Sequence, residues 1–164
     1  MSYICIRTQS LICKTLVMAY TQLIYQIIFS TKNREKVMYL EKRDILYKYI
    51  SGILSNKNCH LYCINGVEDH LHILTHVHPG IAIASLVKDI KVASSIWIKT
   101  NNVFKGFNGW QSKYGAFSYS VKEKENLIKY VENQVEHHKK ISFEDEFIQI
   151  LQEFHVEYNE KYLF

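Results

Sequence analysis

Apolar positions recur along the chain with two different periods, which predict strands and helices in a mixed order. Residues 21–30 are dominated by β-branched and aromatic side chains, which is typical of a mostly buried strand, and a charged run from Lys32 ends it. Apolar positions at helical spacing over residues 41–56 predict an amphipathic helix. The same reasoning predicts strands at 59–65, 70–77 and 114–120, and helices at 82–99, from 121 to about 138, and from about 143 to 154.

This order of elements predicts an α+β fold. Strand, helix, strand, strand, helix, strand, helix is typical of a ferredoxin-like or split βαβ antiparallel sheet with helices packed on one face. Ser120 and Glu123 have the spacing of a capping box at the start of the third helix, and 142–145 resembles a weaker one. Residues 1–17 have no clear period, so we expect an extension ahead of a single domain at 18–164, or alternatively an added strand or arm.

Composition and charge narrow the class of protein without choosing a function. The 164 residues are 48% hydrophobic with one Pro and six Gly, which predicts one compact domain and excludes disorder as the main theme. The net charge of +4 permits an anionic partner without requiring one. The four cysteines lack CxxC spacing, and polar residues interrupt the apolar stretch 11–29, so we expect reduced thiols, no membrane span, no secretory signal and a cytoplasmic location.

A histidine pair on the third predicted strand is the first candidate for chemistry. His70 and His72 are two residues apart and point to one face of a strand, with Leu71 turned into the core. Two imidazoles in this arrangement can bind one divalent metal, although a bland surface strand is an equal alternative on this motif alone. His76 and His78 are expected to be solvated residues where the strand ends.

Tyr130 and Gln134 form the second candidate, because residues four apart lie on one face of a helix. Both should emerge at the rim of the apolar face, directed towards a metal held by His70 and His72. Two imidazoles and one amide oxygen leave open positions for phosphate oxygens and water, and such a mixed set suits Mg²⁺ or Mn²⁺. Tyr130 would then attack the phosphate. The alternative is a Tyr packed at a helix edge beside a solvated Gln.

Four segments in the right order resemble the single-tyrosine HUH transposases of the insertion-sequence 200/605 type. The resemblance covers about residues 18–164. It rests on the segments Gly66-Val67-Glu68-Asp69-His70-Leu71-His72-Ile73-Leu74, Trp110-Gln111-Ser112-Lys113-Tyr114-Gly115-Ala116-Phe117-Ser118, Tyr130-Val131-Glu132-Asn133-Gln134-Val135-Glu136-His137-His138 and Glu157-Tyr158-Asn159-Glu160-Lys161-Tyr162-Leu163.

The resemblance implies a dimeric nuclease that cuts and rejoins single-stranded DNA next to hairpins at transposon ends. By this resemblance His70 and His72 are the metal-binding histidines, Tyr130 is the nucleophile that forms a 5′-phosphotyrosine, and Gln134 is the third ligand. Strand joining then needs no ATP. In family dimers the tyrosine helix can act in trans on the histidine pair of the partner, and residues 1–17 have no counterpart in the family pattern.

Other polar residues have weaker interpretations. The basic candidates for phosphate contacts could equally form solvated charged faces, and they are Lys32, Arg34, Lys88, Lys91 and Lys113. His137 and His138 lie where the third helix should end. A protonated His is stabilised there by the helix dipole, so we expect this capping role rather than a part in proton transfer. Cys59 and Cys63 are expected to be buried thiols.

Three alternatives to a mobile-element transposase remain open from the sequence. A domesticated relative that nicks repeated palindromic elements would use the same residues. A ferredoxin-like nucleic-acid-binding module without catalysis would not need Tyr130, Gln134 or metal. A small metallohydrolase would use His70 and His72 and form no covalent adduct with DNA.

Overall fold

The computed structural model describes residues 4–5, 20–159 and 163, which form one sheet and a set of helices. The strands are β1 (Ile4–Cys5), β2 (Ile24–Ser30), β3 (His60–Gly66), β4 (His70–His76) and β5 (Gly115–Tyr119). The helices are α1 (Leu40–Asn56), α2 (Ile83–Thr100), α3 (Lys124–Glu132), α4 (Gln134–His137) and α5 (Phe143–Glu153). Short 3₁₀ turns lie at Lys32–Arg34 and Val121–Glu123.

The strands pair antiparallel in the order β1-β3-β4-β2-β5. Because β4 lies between β2 and β3, the unit β2-α1-β3 is a split βαβ, as the element order predicts. The α+β class and the antiparallel sheet are therefore confirmed. The register of β2 and β4 places Ile28 opposite His72 and Ser30 opposite His70, so the histidine pair lies in the interior of the sheet.

The N-terminal strand β1 is short and adds to the outer edge of β3, where Ile4 pairs with Ile64. At Ile4 and Cys5, the structure therefore has the added strand that was the alternative to an extension for residues 1–17. The rest of the expected 1–17 extension, and its boundary with the domain, lie outside the described residues. So does part of the C-terminal segment 157–163 on which the family resemblance partly rests.

One face of the sheet packs against α1 and α2. Side chains of β2 and β4 with odd numbers, among them Ile27 and Leu71, form a buried cluster with apolar residues of these two helices. Leu71 is therefore turned into the core, as expected. The apolar stripe of α2 includes Leu86, Val87 and Ile90, which are all buried.

The opposite face is covered by α3 and α5, which corrects the expectation that helices pack on one face only. Ile24 and Leu74 pack against Leu127, Ile128 and Val131 of α3. A neighbouring cluster joins Ile28 and Phe117 to α5. Both faces of β4 are consequently buried, and His70 and His72 lie between the sheet and the C-terminal helices rather than on an open surface.

The β3–β4 hairpin is held to α1 by a buried arginine. Arg43 donates from Nε to the carbonyl of Met38 (2.7 Å) and from Nη1 to the carbonyl of Gly66 (2.9 Å), and its remaining nitrogen pairs with Glu68. A Cβ at Gly66 would lie 2.1 Å from the carbonyl oxygen of His70. This turn therefore requires glycine, and it fixes where β4 and its histidines begin.

The predicted helix from 121 to about 138 is interrupted at Asn133. Glu123 accepts hydrogen bonds from the backbone N–H and hydroxyl of Ser120 (2.9 and 2.8 Å), which is the predicted return contact of the capping box. At the other end of α3, the Asn65 side-chain amide donates to the carbonyls of Val131 and Glu132, both at 2.9 Å. These carbonyls would otherwise accept from the next helical turn, so α3 ends and α4 starts at a new angle.

Candidate active site

The histidine pair is buried and each ring is held by a second polar side chain. His70 and His72 have no exposed surface. Nδ1 of His70 lies 2.6 Å from Oδ1 of Asp69, and Nδ1 of His72 lies 3.0 Å from Nε2 of Gln26. Gln26 in turn accepts from the hydroxyl of Tyr119 at 2.9 Å. Both Nε2 atoms are thereby directed away from these partners, towards α3, α4 and α5.

Tyr130 and Gln134 meet beneath the same face of the sheet, although they belong to different helices. The ring of Tyr130 lies 6.1 Å from the ring of His72, centroid to centroid, and Gln134 is fully buried. Asn65, on the strand beside β4, determines this arrangement because it ends α3 between the two residues. The predicted proximity of Tyr130 and Gln134 to the histidine pair is present in the structure.

Glu146 of α5 is the centre of the site, and the sequence reasoning missed it. Its side chain is 3% exposed. Oε1 accepts from the Tyr130 hydroxyl and, at 2.9 Å, from Nε2 of Gln134. Oε2 lies 3.2 Å from Nε2 of His72 and 3.1 Å from Nε2 of His138. One carboxylate therefore contacts four of the site's polar side chains.

A signal for Glu146 was present in the sequence. It occupies a core position on the apolar stripe of α5, between Phe143 and Phe147, and a carboxylate is seldom buried there without partners. Phe143 also stacks on the ring of His70, with centroids 4.3 Å apart. The packing of α5 on the sheet thus covers the histidine pair with Phe143 and also places the carboxylate of Glu146 beside it.

His138 also belongs to the site, which extends the expected role at a helix end. Its Nε2 lies 2.8 Å from Nε2 of His70, and its Nδ1 lies 3.1 Å from the carbonyl of Ile141. His137 is closer to solvent, with Nε2 3.4 Å from Oε1 of Glu146. By contrast, His76 accepts from the backbone of Leu23 at the far end of β4, outside the site.

Burial and the central carboxylate set the protonation of the histidines. Burial lowers the pKa of His70 to about 4, although Asp69 opposes the shift, so the ring is neutral near pH 7 and available as a ligand. Burial also lowers the pKa of His138, but the hydrogen bond and charge of Glu146 outweigh it and the pKa is raised.

The same contacts act on the two acidic groups in opposite directions. Burial alone would raise the pKa of Glu146, but the charge of His72 and the hydrogen bond from His138 hold it well below its usual range. Burial, and then the charge and hydrogen bond of Glu146, raise the pKa of the Tyr130 phenol. The carboxylate is therefore ionised and the phenol protonated at neutral pH, and a nucleophilic role for Tyr130 needs an additional positive charge nearby.

Several donor atoms of the site are suited to a divalent cation. One ligand atom from each of His70, His72, His138 and Glu146 lies within 4.8 Å of all the others. Oε1 of Gln134 is buried and has no hydrogen-bond partner among the described residues. A buried amide oxygen without a donor, beside imidazole nitrogens and a carboxylate, matches the mixed ligand chemistry of a catalytic metal site.

One cleft reaches His70 and His138, and a second cleft lies beside it and shares Arg34 and Phe143 in its walls. The larger, about 590 Å³, passes His70, His138 and Phe143, and Lys36 and Lys139 lie along it. The smaller, about 310 Å³, is lined by Lys113, Tyr114 and Phe147 among others. Arg34 itself pairs with Glu144 on α5. The cleft walls therefore carry cations and aromatic rings, the groups that bind single-stranded nucleic acid, although Glu68, Asp69 and Glu144 also line the larger cleft.

The other basic candidates lie further from the site. Lys32 is exposed in the same 3₁₀ turn as Arg34. Lys88 and Lys91 are on α2, which packs on the opposite face of the sheet. Nζ of Lys91 donates to the carbonyls of Ser112 and Lys113, both at 3.1 Å, so it supports the loop that carries Lys113. Their contacts with phosphate remain predictions.

Two further expectations concern the cysteines and the membrane. Cys59 and Cys63 are buried and not joined in a disulfide, as expected. Burial raises the pKa of the Cys59 thiol, which lowers its reactivity. Among the described residues, none of the helices combines the length and apolar character needed to cross a bilayer.

Comparisons with known proteins match most of the chain. A family model described as transposase IS200 like matches residues 19–134. The curated ISDra2 transposase TnpA of Deinococcus radiodurans is 27% identical over 118 residues, which cover 69% of this chain and 84% of that protein.

Two solved structures resemble the fold. A transposase of Deinococcus radiodurans has a TM-score of 0.57 and 25% identity, over 74% of this chain and 98% of the other. A REP-associated tyrosine transposase bound to a REP hairpin has a TM-score of 0.56 and 14% identity, over 79% of this chain and 76% of the other, and shares the fold.

Proposed function

This chain belongs to the IS200-like transposase family, and we propose that it cleaves and rejoins single-stranded DNA through a covalent tyrosine intermediate with a divalent metal. The observation that carries the proposal is the convergence of Tyr130 with the His70–His72 pair in one buried polar cluster. A Tyr packed only for structure would not need its hydroxyl on a carboxylate that also contacts a histidine pair.

The reaction follows from the chemistry of a phenol beside a phosphodiester. The oxygen of Tyr130 forms a bond to phosphorus, the bond from phosphorus to the 3′ oxygen breaks, and the phenolic proton passes in net terms to that oxygen. The products are a 5′-phosphotyrosine and a 3′-OH. Because the new ester keeps the energy of the original one, attack by another 3′-OH rejoins the strand without ATP.

His70, His72 and the amide oxygen of Gln134 are the residues that would hold the metal in this reading, with Mg²⁺ or Mn²⁺ as the ion. The fit rests on the neutral buried imidazole of His70 and on the unpartnered oxygen of Gln134. A bound divalent ion supplies Lewis-acid polarisation of the phosphate and a positive charge that favours the phenolate. The hydrogen bond to Glu146 orients the Tyr130 hydroxyl.

The DNA substrate is proposed to be a single strand next to a hairpin. Arg34 and Lys113 line clefts at the site and are the first candidates for phosphate contacts, with Lys32 beside them. The solved relative that carries a REP hairpin supports a hairpin-containing ligand. We further propose a homodimer and action in the cytoplasm. A domesticated nickase of the same family would use the same site.

The test is covalent capture of labelled single-stranded hairpin DNA taken from the flanks of the gene. The protein is incubated with Mg²⁺ or Mn²⁺, or with EDTA, beside Tyr130→Phe and the control Tyr39→Phe, which changes an exposed ring away from the site. We expect a denaturation-resistant adduct that requires metal, is lost in Tyr130→Phe and persists in Tyr39→Phe.

The other outcomes separate the alternatives. Metal-dependent cleavage without an adduct, unchanged in Tyr130→Phe, would refute the tyrosine mechanism and favour a metallohydrolase. Binding without cleavage, unaffected by EDTA and by Tyr130→Phe across a panel of hairpins, would favour a non-catalytic binding module.

A further inference from the structure

The rings of His70 and His138 face each other through their Nε2 atoms, 2.8 Å apart. On the far side of each ring, Nδ1 contacts an oxygen that can only accept: the carboxylate of Asp69 and the backbone carbonyl of Ile141. Each Nδ1 must therefore carry a hydrogen. Two neutral rings would direct lone pairs at each other, so this close approach needs a positive charge between them, which either a proton on His138 or a metal ion can supply.

Glu146 supplies a third donor at the same place. Its Oε2 lies 3.1 Å from Nε2 of His138, 3.2 Å from Nε2 of His72 and 3.9 Å from Nε2 of His70. Bonds of about 2.1 Å to one ion separate adjacent ligand atoms by about 3.0–3.4 Å in octahedral or tetrahedral geometry. The 3.1 and 3.2 Å separations fall in this range, the 2.8 Å contact of the two Nε2 atoms lies just below it, and all four atoms lie within 4.8 Å of one another, so they are close enough to share one ion.

The partners of the outer ring nitrogens have the arrangement found around metal-bound histidines. Such histidines usually donate their second N–H to a carboxylate or a backbone carbonyl, which fixes the tautomer and the ring orientation. His70 has the carboxylate and His138 has the carbonyl. Nδ1 of His72 faces the amide nitrogen of Gln26, whose oxygen accepts from the Tyr119 hydroxyl. His72 therefore takes the same arrangement only with that amide reversed, so that its oxygen faces Nδ1 and its nitrogen faces the Tyr119 hydroxyl.

We propose that His138 and Glu146 are metal ligands together with His70 and His72, so that three imidazoles and one carboxylate hold the ion. This inference rests on the proposed function, and it replaces the amide oxygen of Gln134, named above as a ligand, with His138 and Glu146. Both added residues lie beyond the segment 19–134 that matches the family model. Gln134 then acts as a positioning residue, because its amide donates to the other oxygen of Glu146.

The ligand set has a consequence for the choice of ion. Imidazole nitrogen favours Mn²⁺, Co²⁺ and Zn²⁺ over Mg²⁺, which prefers oxygen ligands and retains its water. We therefore expect the full chain without DNA to bind Mn²⁺ at least tenfold more tightly than Mg²⁺. An ion with six positions, such as Mn²⁺, keeps two for phosphate oxygens after four protein ligands.

The experiment is Mn²⁺ binding to the full chain by calorimetry, together with pulsed EPR that counts the imidazole nitrogens bound to the ion. We expect three imidazoles in the unaltered protein and two in His138→Asn. We also expect His138→Asn and Glu146→Gln each to weaken Mn²⁺ binding at least tenfold. The controls are His155→Asn and Glu153→Gln, which change exposed residues of the same types near the C-terminus of α5.

The outcomes distinguish this inference from the proposed function on which it rests. Two imidazoles in the unaltered protein, with Mn²⁺ affinity lost in Gln134→Ala but kept in His138→Asn and Glu146→Gln, would overturn the inference and leave the proposed function intact. No Mn²⁺ binding by the unaltered protein would overturn the inference, and the adduct assay would then decide the proposed function by itself. The number of imidazole nitrogens bound to Mn²⁺ is measured on the unaltered protein. It therefore tests the proposed ligand set even where a variant fails to fold.

Discussion

Asn65 on β3 donates a hydrogen bond to the carbonyl of Glu132, which lies 67 residues further along the chain. A second bond from the same amide reaches the carbonyl of Val131. This single side chain therefore ends the helix that carries Tyr130 and fixes it to the sheet that carries the histidine pair. The position of the proposed nucleophile depends on a residue that has no chemistry of its own to perform.

Asn65→Asp should weaken both the fold and the reaction. A carboxylate of the same shape cannot donate, and it would place negative charge against two carbonyl oxygens, so we expect unfolding to become easier by about 2–3 kcal/mol. Urea denaturation measures this change, and adduct formation should fall more than DNA binding. Asn126→Asp, at an exposed position of α3, is the control and should change stability by less than about 0.5 kcal/mol. Equal effects of the two substitutions would contradict the role given to Asn65.

Gly66→Ala should disturb the β3–β4 hairpin. The added Cβ would lie 2.1 Å from the carbonyl oxygen of His70, so the turn must move, and we expect a loss of stability of at least about 2 kcal/mol. Gly52→Ala, inside α1, is the matched control, because a Cβ there would meet no atom of the described residues within 4 Å. Alanine should stabilise that helix by about 0.5–1 kcal/mol. Thermal unfolding of the pair tests the opposite signs.

Asp69→Asn should weaken metal binding without removing a ligand. Oδ1 of the carboxylate accepts the hydrogen bond from Nδ1 of His70, 2.6 Å away, and an amide in its place gives a weaker and less selective contact. Changes at such supporting residues usually lower metal affinity about 10- to 100-fold. Mn²⁺ titration measures the effect, and Asp89→Asn, in a surface pair with Lys57, should bind Mn²⁺ normally. An unchanged affinity in Asp69→Asn would show that His70 needs no such support.

Arg34→Ala and Lys113→Ala should each reduce affinity for single-stranded DNA more than Lys88→Ala does. Arg34 lines the cleft that reaches His70 and His138, and Lys113 lines the cleft beside it, whereas Lys88 is on the helix layer across the sheet. Each lost phosphate contact should lower the dependence of log affinity on log salt by about 0.7. Fluorescence anisotropy over a salt series gives both numbers. A stronger effect of Lys88→Ala would move the DNA path to the other face.

Mixing two inactive variants tests whether the site is built within one chain. The structure brings Tyr130 to the histidine pair of the same chain, through Glu146. We therefore expect an equimolar mixture of His72→Ala and Tyr130→Phe to form no adduct, even after prolonged co-incubation. Recovery of up to a quarter of the unaltered activity would instead indicate that dimers exchange their tyrosine helices, as the family resemblance allows.

Local periodicity accounts for most of what the sequence predicted. The two-residue period of a strand places His70 and His72 on one face whatever the rest of the fold does, and the four-residue spacing brings Tyr130 near Gln134 even across a helix break. The element order likewise leads to the antiparallel sheet. These features depend on neighbours in sequence, which the pattern of side chains records directly.

The features that sequence reasoning missed depend on long-range docking. The sequence of residues 138–146 does not by itself predict that α5 packs back onto the sheet and places Glu146 beside the histidine pair. The break at Asn133 depends on Asn65, in a strand far along the chain. The second helical layer could have been inferred, because β4 offers Leu74 on the same face as its histidines and an apolar residue there needs a cover.

The residues of the site lie on β2, β4, α3, α4 and α5. Of these elements, α5 is the last to be synthesised. A ribosome that has delivered the four sheet strands β2 to β5 and the tyrosine helix has still not delivered Glu146. The polar cluster therefore cannot close on a nascent chain until α5 has emerged and folded back. A transcript cut short before that helix would yield a chain with the histidine pair and the tyrosine, but without the carboxylate that joins them.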